Sequence, residues 1–313
     1  MKTRDEKVKI FIAGLYGMSA FFVNEKFPHI GETVKGNEFF FEVGGKGFNQ
    51  ALCAKKLDAD VTFFTALGGD YFTKELKDIL EMHKFGFFQF EDTTNDFACI
   101  ISDKSSQNFV VLNNGASSKL TSDHFDEISD LIISNNGVLL QNEIPLDATI
   151  KILEIAHASN LITVFDPAPV TQELINNTDI LKLCDVVKPN WGEAVMLTNS
   201  NENDSPYVVA TKLKKLGAKN VVITLGDEGC FMLSEDNSIF EFPRFTVDAI
   251  DSTGAGDVFS AALCVALCEG EALEEAIQFA SGASALSVTK RGVISGLPTR
   301  IEVDDFITKQ KEV

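Results

Sequence analysis

The chain has 313 residues, 45% of them apolar and 23% charged, with 46 acidic against 27 basic side chains and a formal net charge of −19. That balance argues against a nucleic-acid or anionic-membrane binder, which needs basic patches, and the apolar fraction excludes a disordered chain. The length suits one large α/β domain or two smaller ones. In chain order, short β-rich apolar runs alternate with helical patterns, the signature of a mostly parallel sheet covered by helices. Met1–Lys9 and the apolar Ile10–Val23 imitate a signal peptide. Asp5 and Glu6 in the leader, and Gly14 and Gly17 inside the run, predict instead a first core strand at Val8–Ala13. Gly31–Val43 reads as strand, Gly47–Leu57 as helix, Val61–Ala66 as strand, Phe72–Met82 as helix and Phe97–Val111 as strand. Beyond these come helix Ser122–Ile133, strand Val138–Gln141, helix Asp147–Ser159 and strands Leu161–Asp166 and Val186–Val187. Helix Pro206–Leu216, strand Val221–Leu225 and helices Gly256–Glu269 and Leu273–Thr289 complete the pattern. Thr299 with Glu302 has capping-box spacing and opens a last helix.

Gly31–Val43 and Phe97–Val111 have no helix between partners and predict a small extra sheet. The chain holds 26 Phe, and the run Phe39–Phe41 puts at least one on each strand face. A closing lid, a dimer contact or a satellite core would use that surface. The six cysteines are far apart, without C-x-x-C spacing, and read as buried reduced thiols of a cytosolic protein. The uncharged stretch Val258–Cys268 is too short to span a bilayer.

Two clusters carry chemistry. Asp251-Ser-Thr-Gly-Ala-Gly-Asp257 lies between a β-like stretch and an apolar helix. Small residues there let backbone N–H groups approach a ligand, and the helix N-terminus adds partial positive charge. Asp257 falls in the first helical turn, where it could take a proton from an alcohol; taken alone, the segment could equally be a helix cap. The second cluster, Val43-Gly-Gly-Lys-Gly-Phe-Asn-Gln50, is a glycine-rich turn entering a helix, with Lys46 and Asn49 placed to present polar groups to a small molecule. No Walker A, protein-kinase, dinucleotide-binding or nucleophile-elbow pattern is present in the sequence, and none of His29, His83, His124 and His157 adjoins an obvious nucleophile.

These residues, with Gly31-Glu-Thr-Val34, Asp166-Pro-Ala-Pro169, Pro189-Asn-Trp-Gly-Glu193 and Thr224-Leu-Gly226, resemble the ribokinase family of sugar kinases from about Val8 to Phe306. The resemblance implies a Rossmann-like α/β domain over residues 1–313, a mostly parallel sheet flanked by helices, with a β-sheet lid from about residues 15–43 and 97–112. It implies transfer of the ATP γ-phosphoryl to a sugar hydroxymethyl, Asp257 as base, and Gly254, Ala255 and Gly256 holding the phosphoryl. Asn190 and Glu193 would organise Mg²⁺ and phosphates, and Thr224, Gly226, Gly229, Gly256 and Ser281 would contact the nucleotide. A K⁺ site is implied at Asp251, Thr253, Ser287, Lys290 and Gly292, with Gly296 standing where a hydroxyl is common. A cytoplasmic homodimer joined through lid sheets is implied as well.

For the sugar, Gly45, Lys46, Asn49, Glu143 and Asp257 carry over. The opening loop departs: Gly17 and Ser19 stand where an Asn and an Asp are usual, a loss worth about ten- to a hundredfold in affinity per hydrogen bond to a charged group. Restoring Asn at 17 and Asp at 19 is therefore expected to strengthen ribose binding. Tyr16 or the Phe21–Phe22 pair could shape the pocket for another sugar or stack on a base, so a nucleoside kinase and a catalytically silent regulator stand as alternatives.

Overall fold

A computed structural model describes residues 7–103 and 108–311. The chain runs β1 (Lys9–Ala13), β2 (Gly17–Val23), β3 (Glu38–Gly44), α1 (Lys46–Lys56), β4 (Asp60–Gly68), α2 (Thr73–His83), β5 (Gly86–Phe90), β6 (Asp96–Ser102), β7 (Asn108–Asn113), α3 (Ser122–Glu127), α4 (Ser129–Ile133) and β8 (Gly137–Gln141). It continues through α5 (Leu146–Ala158), β9 (Ile162–Asp166), α6 (Gln172–Asn176), β10 (Val186–Val187), α7 (Trp191–Thr198), α8 (Pro206–Lys215), β11 (Asn220–Thr224), β12 (Cys230–Leu233), β13 (Ile239–Phe242), α9 (Ala255–Glu269), α10 (Leu273–Ser287), α11 (Val293–Gly296) and α12 (Arg300–Lys311).

The main sheet has nine strands in the order β13-β12-β11-β10-β9-β8-β1-β4-β5. All pairs are parallel except β11–β12 and β12–β13. Alternation along each strand divides the core in two, since successive side chains point to opposite faces. Ile10, Ile12, Leu139, Val164 and Val222 face α1, α9 and α10. Phe11, Ala13, Val138, Leu140, Phe165 and Ile223 meet the layer that includes α3, α5 and α8. A second sheet, β3-β2-β6-β7, stands beside the first. Its β2 leaves the end of β1 after three residues, and its β3 leads into α1 through Gly45, so the two sheets meet above the carboxyl ends of the parallel strands.

Several predicted elements differ. The Ser122–Ile133 helix divides at Ile128, whose φ of −111° interrupts it. In Gly31–Val43 only the part from Glu38 is a strand. Phe97–Val111 holds two antiparallel strands, β6 and β7, joined through residues 104–107, outside the described residues. The leader residues Met1–Glu6 also lie outside them. Strands β2, β5, β12 and β13 and helices α6, α7 and α11 had no prediction. All six cysteines are free, and only Cys99 is not buried. Among the described residues no helix is long and apolar enough to cross a membrane, and no group of His, Cys, Asp and Glu side chains forms a metal cluster.

Candidate active site

The carboxyl ends of β1, β8, β9 and β10 converge with the N-termini of α1 and α9, the crevice where open parallel sheets bind ligands. Two glycines let α1 descend onto this edge: a Cβ on Gly14, after β1, would lie 2.7 Å from the Gly47 Cα. Asp257, 4% exposed in the first turn of α9, receives donors from α1. Asn49 Nδ2 donates to its Oδ2 at 2.9 Å and Gln50 Nε2 to its Oδ1 at 3.0 Å. Gln50 is fixed in turn by Gln141, at the end of β8, whose Nε2 donates to Gln50 Oε1. The Lys46 ammonium stands 3.9 Å from Asp257 Oδ1, and this carboxylate raises the Lys46 pKa against the opposing effect of burial. Glu143 accepts the Lys46 backbone N–H at 2.8 Å. Burial pushes the Glu143 carboxyl up to about 8, with Lys46 opposing the rise. The buried Asn49 Oδ1 has no protein partner, leaving an acceptor for a ligand hydroxyl.

Gly254 caps α9 with a φ of +79°, a conformation that favours glycine, and a Cβ there would meet Val293 Cγ1 at 2.7 Å. The first N–H groups of a helix lack intrahelical partners. That of Ala255 is turned back onto Ser252 O at 3.2 Å, so Gly256 and Asp257 supply the donors that such a helix start offers an anion. This revises the expectation that the Ala255 amide faces the phosphoryl.

Asn190 and Glu193 form a reciprocal capping box on α7: Glu193 N donates to Asn190 Oδ1 at 2.9 Å and Asn190 N to Glu193 Oε2 at 2.8 Å. The cap positions them, and burial followed by the neighbouring Asp166 raises the Glu193 pKa. Thr224 ends β11 beside Asn190 in an isolated bridge. Gly226 and Gly229 bound the following turn, and Ser281 of α10 stands beside the Cys230 thiol and opposes the rise that burial gives its pKa. Four of the five residues expected at the nucleotide, Thr224, Gly226, Gly229 and Ser281, thus lie about the turn between β11 and β12, and the fifth, Gly256, is in the first turn of α9.

Asp251 is held by two backbone donors, Thr253 N to Oδ1 at 3.0 Å and Gly292 N to Oδ2 at 2.9 Å. Burial opposes these bonds, which prevail and lower its pKa. The Lys290 N–H reaches Ser287 O at 3.3 Å. A Cβ on Gly296 would lie 3.0 Å from that same carbonyl, which places the missing hydroxyl position on this loop.

Three expectations for the sugar side change. Gly17 is buried in β2 opposite Asp96, and a Cβ on it would overlap the Asp96 carbonyl, so an Asn at this position cannot reach a ligand without moving β6. Tyr16 is fully buried, its ring centroid 4.5 Å from that of Phe48 in a tilted pair and its hydroxyl donating to Leu76 O, and therefore belongs to the core. Phe21 and Phe22 pair across the second sheet with Phe40 and Phe39, each at 4.8 Å, so one side of each ring is already taken by an aromatic partner within that sheet. Ser19 does face the junction, its Oγ 3.7 Å from where a Cβ on Gly44 would sit. Gln50 and Asp166 stood in the sequence only as members of motifs with no role assigned, and nothing in the sequence pointed to Gln141 or Lys188 at the same edge.

The model for pfkB family carbohydrate kinases matches residues 9–300. A ribokinase of Haemophilus influenzae is 34% identical over 286 residues, covering 90% of this chain and 92% of that protein. The crystal structure of a ribokinase from Thermotoga maritima superposes with a TM-score of 0.86 at 34% identity, covering 97% and 100% of the two chains. The structure of Arabidopsis thaliana ribokinase complexed with ribose and ATP gives 0.84 at 25% identity, covering 96% and 99%.

Proposed function

The chain belongs to the pfkB family of carbohydrate kinases and is an ATP-dependent sugar kinase; from that premise we propose that it phosphorylates the hydroxymethyl group of ribose, with Asp257 as the base. The observation that carries the proposal is the convergence of Lys46, Asn49, Gln50 and Glu143 on a buried Asp257 at a helix N-terminus. Asn49 and Gln50 fix the carboxylate plane through one donor to each oxygen, and each oxygen keeps a lone pair for the sugar hydroxyl. As the hydroxyl oxygen attacks the γ-phosphorus, its proton passes to Asp257 and the bond from that phosphorus to ADP breaks. The N–H groups of Gly256 and Asp257, at the positive end of α9, receive the charge on the transferring group. Gly45, Lys46, Asn49 and Glu143 hold the other hydroxyls of the sugar, with Ser19 closing the site from the second sheet.

ATP lies along Thr224, Gly226, Gly229 and Ser281, with its phosphates toward Asn190 and Glu193. The hard oxygen donors of Asn190 and Glu193 suit a hydrated Mg²⁺, which when bound shields the phosphate charge. The carboxylate of Asp251, with Thr253 and the backbone oxygens of Ser287, Lys290 and Gly292, suits K⁺, whose binding would brace the loop against α9. The second sheet, within residues 15–43 and 97–112, serves as lid. Its exposed Phe22, Phe39, Phe41 and Phe109 form the surface of a homodimer, in a cytoplasmic enzyme.

The test is ADP formation with Mg²⁺ and K⁺ across ribose, deoxyribose, other pentoses, fructose, tagatose, phosphorylated hexoses and nucleosides. Ribose is expected to give the highest kcat/KM. A nucleoside ahead of every sugar would overturn the assignment.

A further inference from the structure

We propose that Lys188 is a further catalytic residue of this kinase, its ammonium stabilising the negative charge of the transferring phosphoryl from the side opposite Lys46. Lys188 follows β10 and is 2% exposed; Asp166, at the end of the adjacent β9, is 1% exposed. The Lys188 Nζ donates to Asp166 Oδ2 at 2.8 Å and to Gly256 O at 3.4 Å. The Ser260 hydroxyl, one turn further along α9, lies within hydrogen-bond distance of the same two acceptors, at 2.8 and 2.9 Å, and has one proton to give between them. The ammonium therefore lies against the first turn of α9, 3.7 Å from where a Cβ on Gly256 would sit. The open face of that glycine puts no side chain between Lys188 and the anion-binding turn.

Two further observations point to a ligand. Asp166 Oδ1 is buried without a hydrogen-bond partner, so the pair is incompletely satisfied within the protein. A buried ion pair of that kind is costly, and well-packed apolar residues often match or exceed its stability. The charge inventory also calls for a second cation. Lys46 senses Asp257, Asp166, Glu143 and Glu193, four acids around a site that must admit a polyanion, and Lys46 itself faces Asp257 on the sugar side. Lys188 gives up no proton in the step: the sugar oxygen–phosphorus bond forms, the bond from phosphorus to ADP breaks, and the hydroxyl proton goes to Asp257.

This inference rests on the kinase assignment above, so wild-type turnover is measured first; a wild type inactive on every acceptor would sink that assignment. With an active wild type, Lys188→Met is compared with the double variant Lys188→Met, Asp166→Asn, which removes the unpaired carboxylate. Both are expected to lower kcat by about 10²-fold, the scale of a lost charge-stabilising donor. The double variant is expected to regain the wild-type Tm without regaining kcat, and both sugar and ATP KM should stay within about threefold. A double variant with wild-type Tm and wild-type kcat would overturn the role. If neither variant folds, the wild-type crystal structure with ADP, aluminium fluoride and ribose decides. Lys188 Nζ within hydrogen-bond distance of a fluoride supports the proposal, and Nζ bound only to Asp166 and Gly256 refutes it.

Discussion

Replacing Gln50 by Met tests whether Asp257 depends on being held from both sides. Gln50 is fully buried and donates to Asp257 Oδ1 at 3.0 Å while accepting from Gln141. Met has a similar volume and can do neither. Losing a bond to a charged acceptor costs about 1.5–3 kcal/mol, and orphaning the Gln141 amide adds about 1–3 kcal/mol. A total of about 2.5–6 kcal/mol, at about 2 °C per kcal/mol for a chain of this size, lowers Tm by about 5–12 °C. With one donor gone the carboxylate can swing about its remaining bond to Asn49, and misplacing a base by an ångström costs about 10²-fold in rate. Steady-state kinetics on ribose with thermal unfolding of the same preparation give both numbers. A fall in kcat of about tenfold to a hundredfold, with ATP KM little changed, is expected. A variant whose Tm falls while kcat holds would show that Gln50 is a packing residue and that Asn49 suffices.

Other consequences follow from the same geometry. Glu143 has its carboxyl raised from 4.5 to about 8, so the stability it contributes is complete below about 4.5 and is lost as pH rises to about 8. Wild type should lose Tm relative to Glu143→Gln across that window, and parallel profiles would refute the shift. Gly17→Asn should weaken ribose binding and stability, because its Cβ overlaps the Asp96 carbonyl, whereas Ser19→Asp alone should lower KM; a gain from Gly17→Asn would contradict the packing of β2 on β6. Replacing K⁺ by choline should slow turnover, and Asp251→Ala, which removes the acceptor of the Gly292 N–H, should abolish that response. An equal K⁺ response in the variant would move the cation elsewhere.

Much of the fold was legible because the parallel strands are buried on both faces and read as apolar runs: Val61–Ala66 and Val138–Gln141 lie within the observed β4 and β8. Strand β5, Gly-Phe-Phe-Gln-Phe, was missed because its mixture of aromatics has no alternation. Helix α7 was missed because its eight residues span barely two turns, although the Asn190 and Glu193 that start it were singled out. In the site, the glycine turns and Asp257 stood out through local spacing. Gln50 and Gln141 did not, since 91 residues separate them and only the stacking of α1 on β8 joins them. Asp166 and Lys188, 22 residues apart, meet because β9 and β10 are neighbours in the sheet. The expectation for Gly17 changes because a motif tells which residue type is usual at a position and not the direction of its Cβ, which here points into β6.

Whether Asp257 takes the sugar proton is read from Asp257→Asn, through ribose-dependent ADP formation measured alongside ATP binding by calorimetry. Turnover lower by about 10²–10⁴ with ATP affinity within about threefold is the predicted result. Turnover at the wild-type rate would contradict the account.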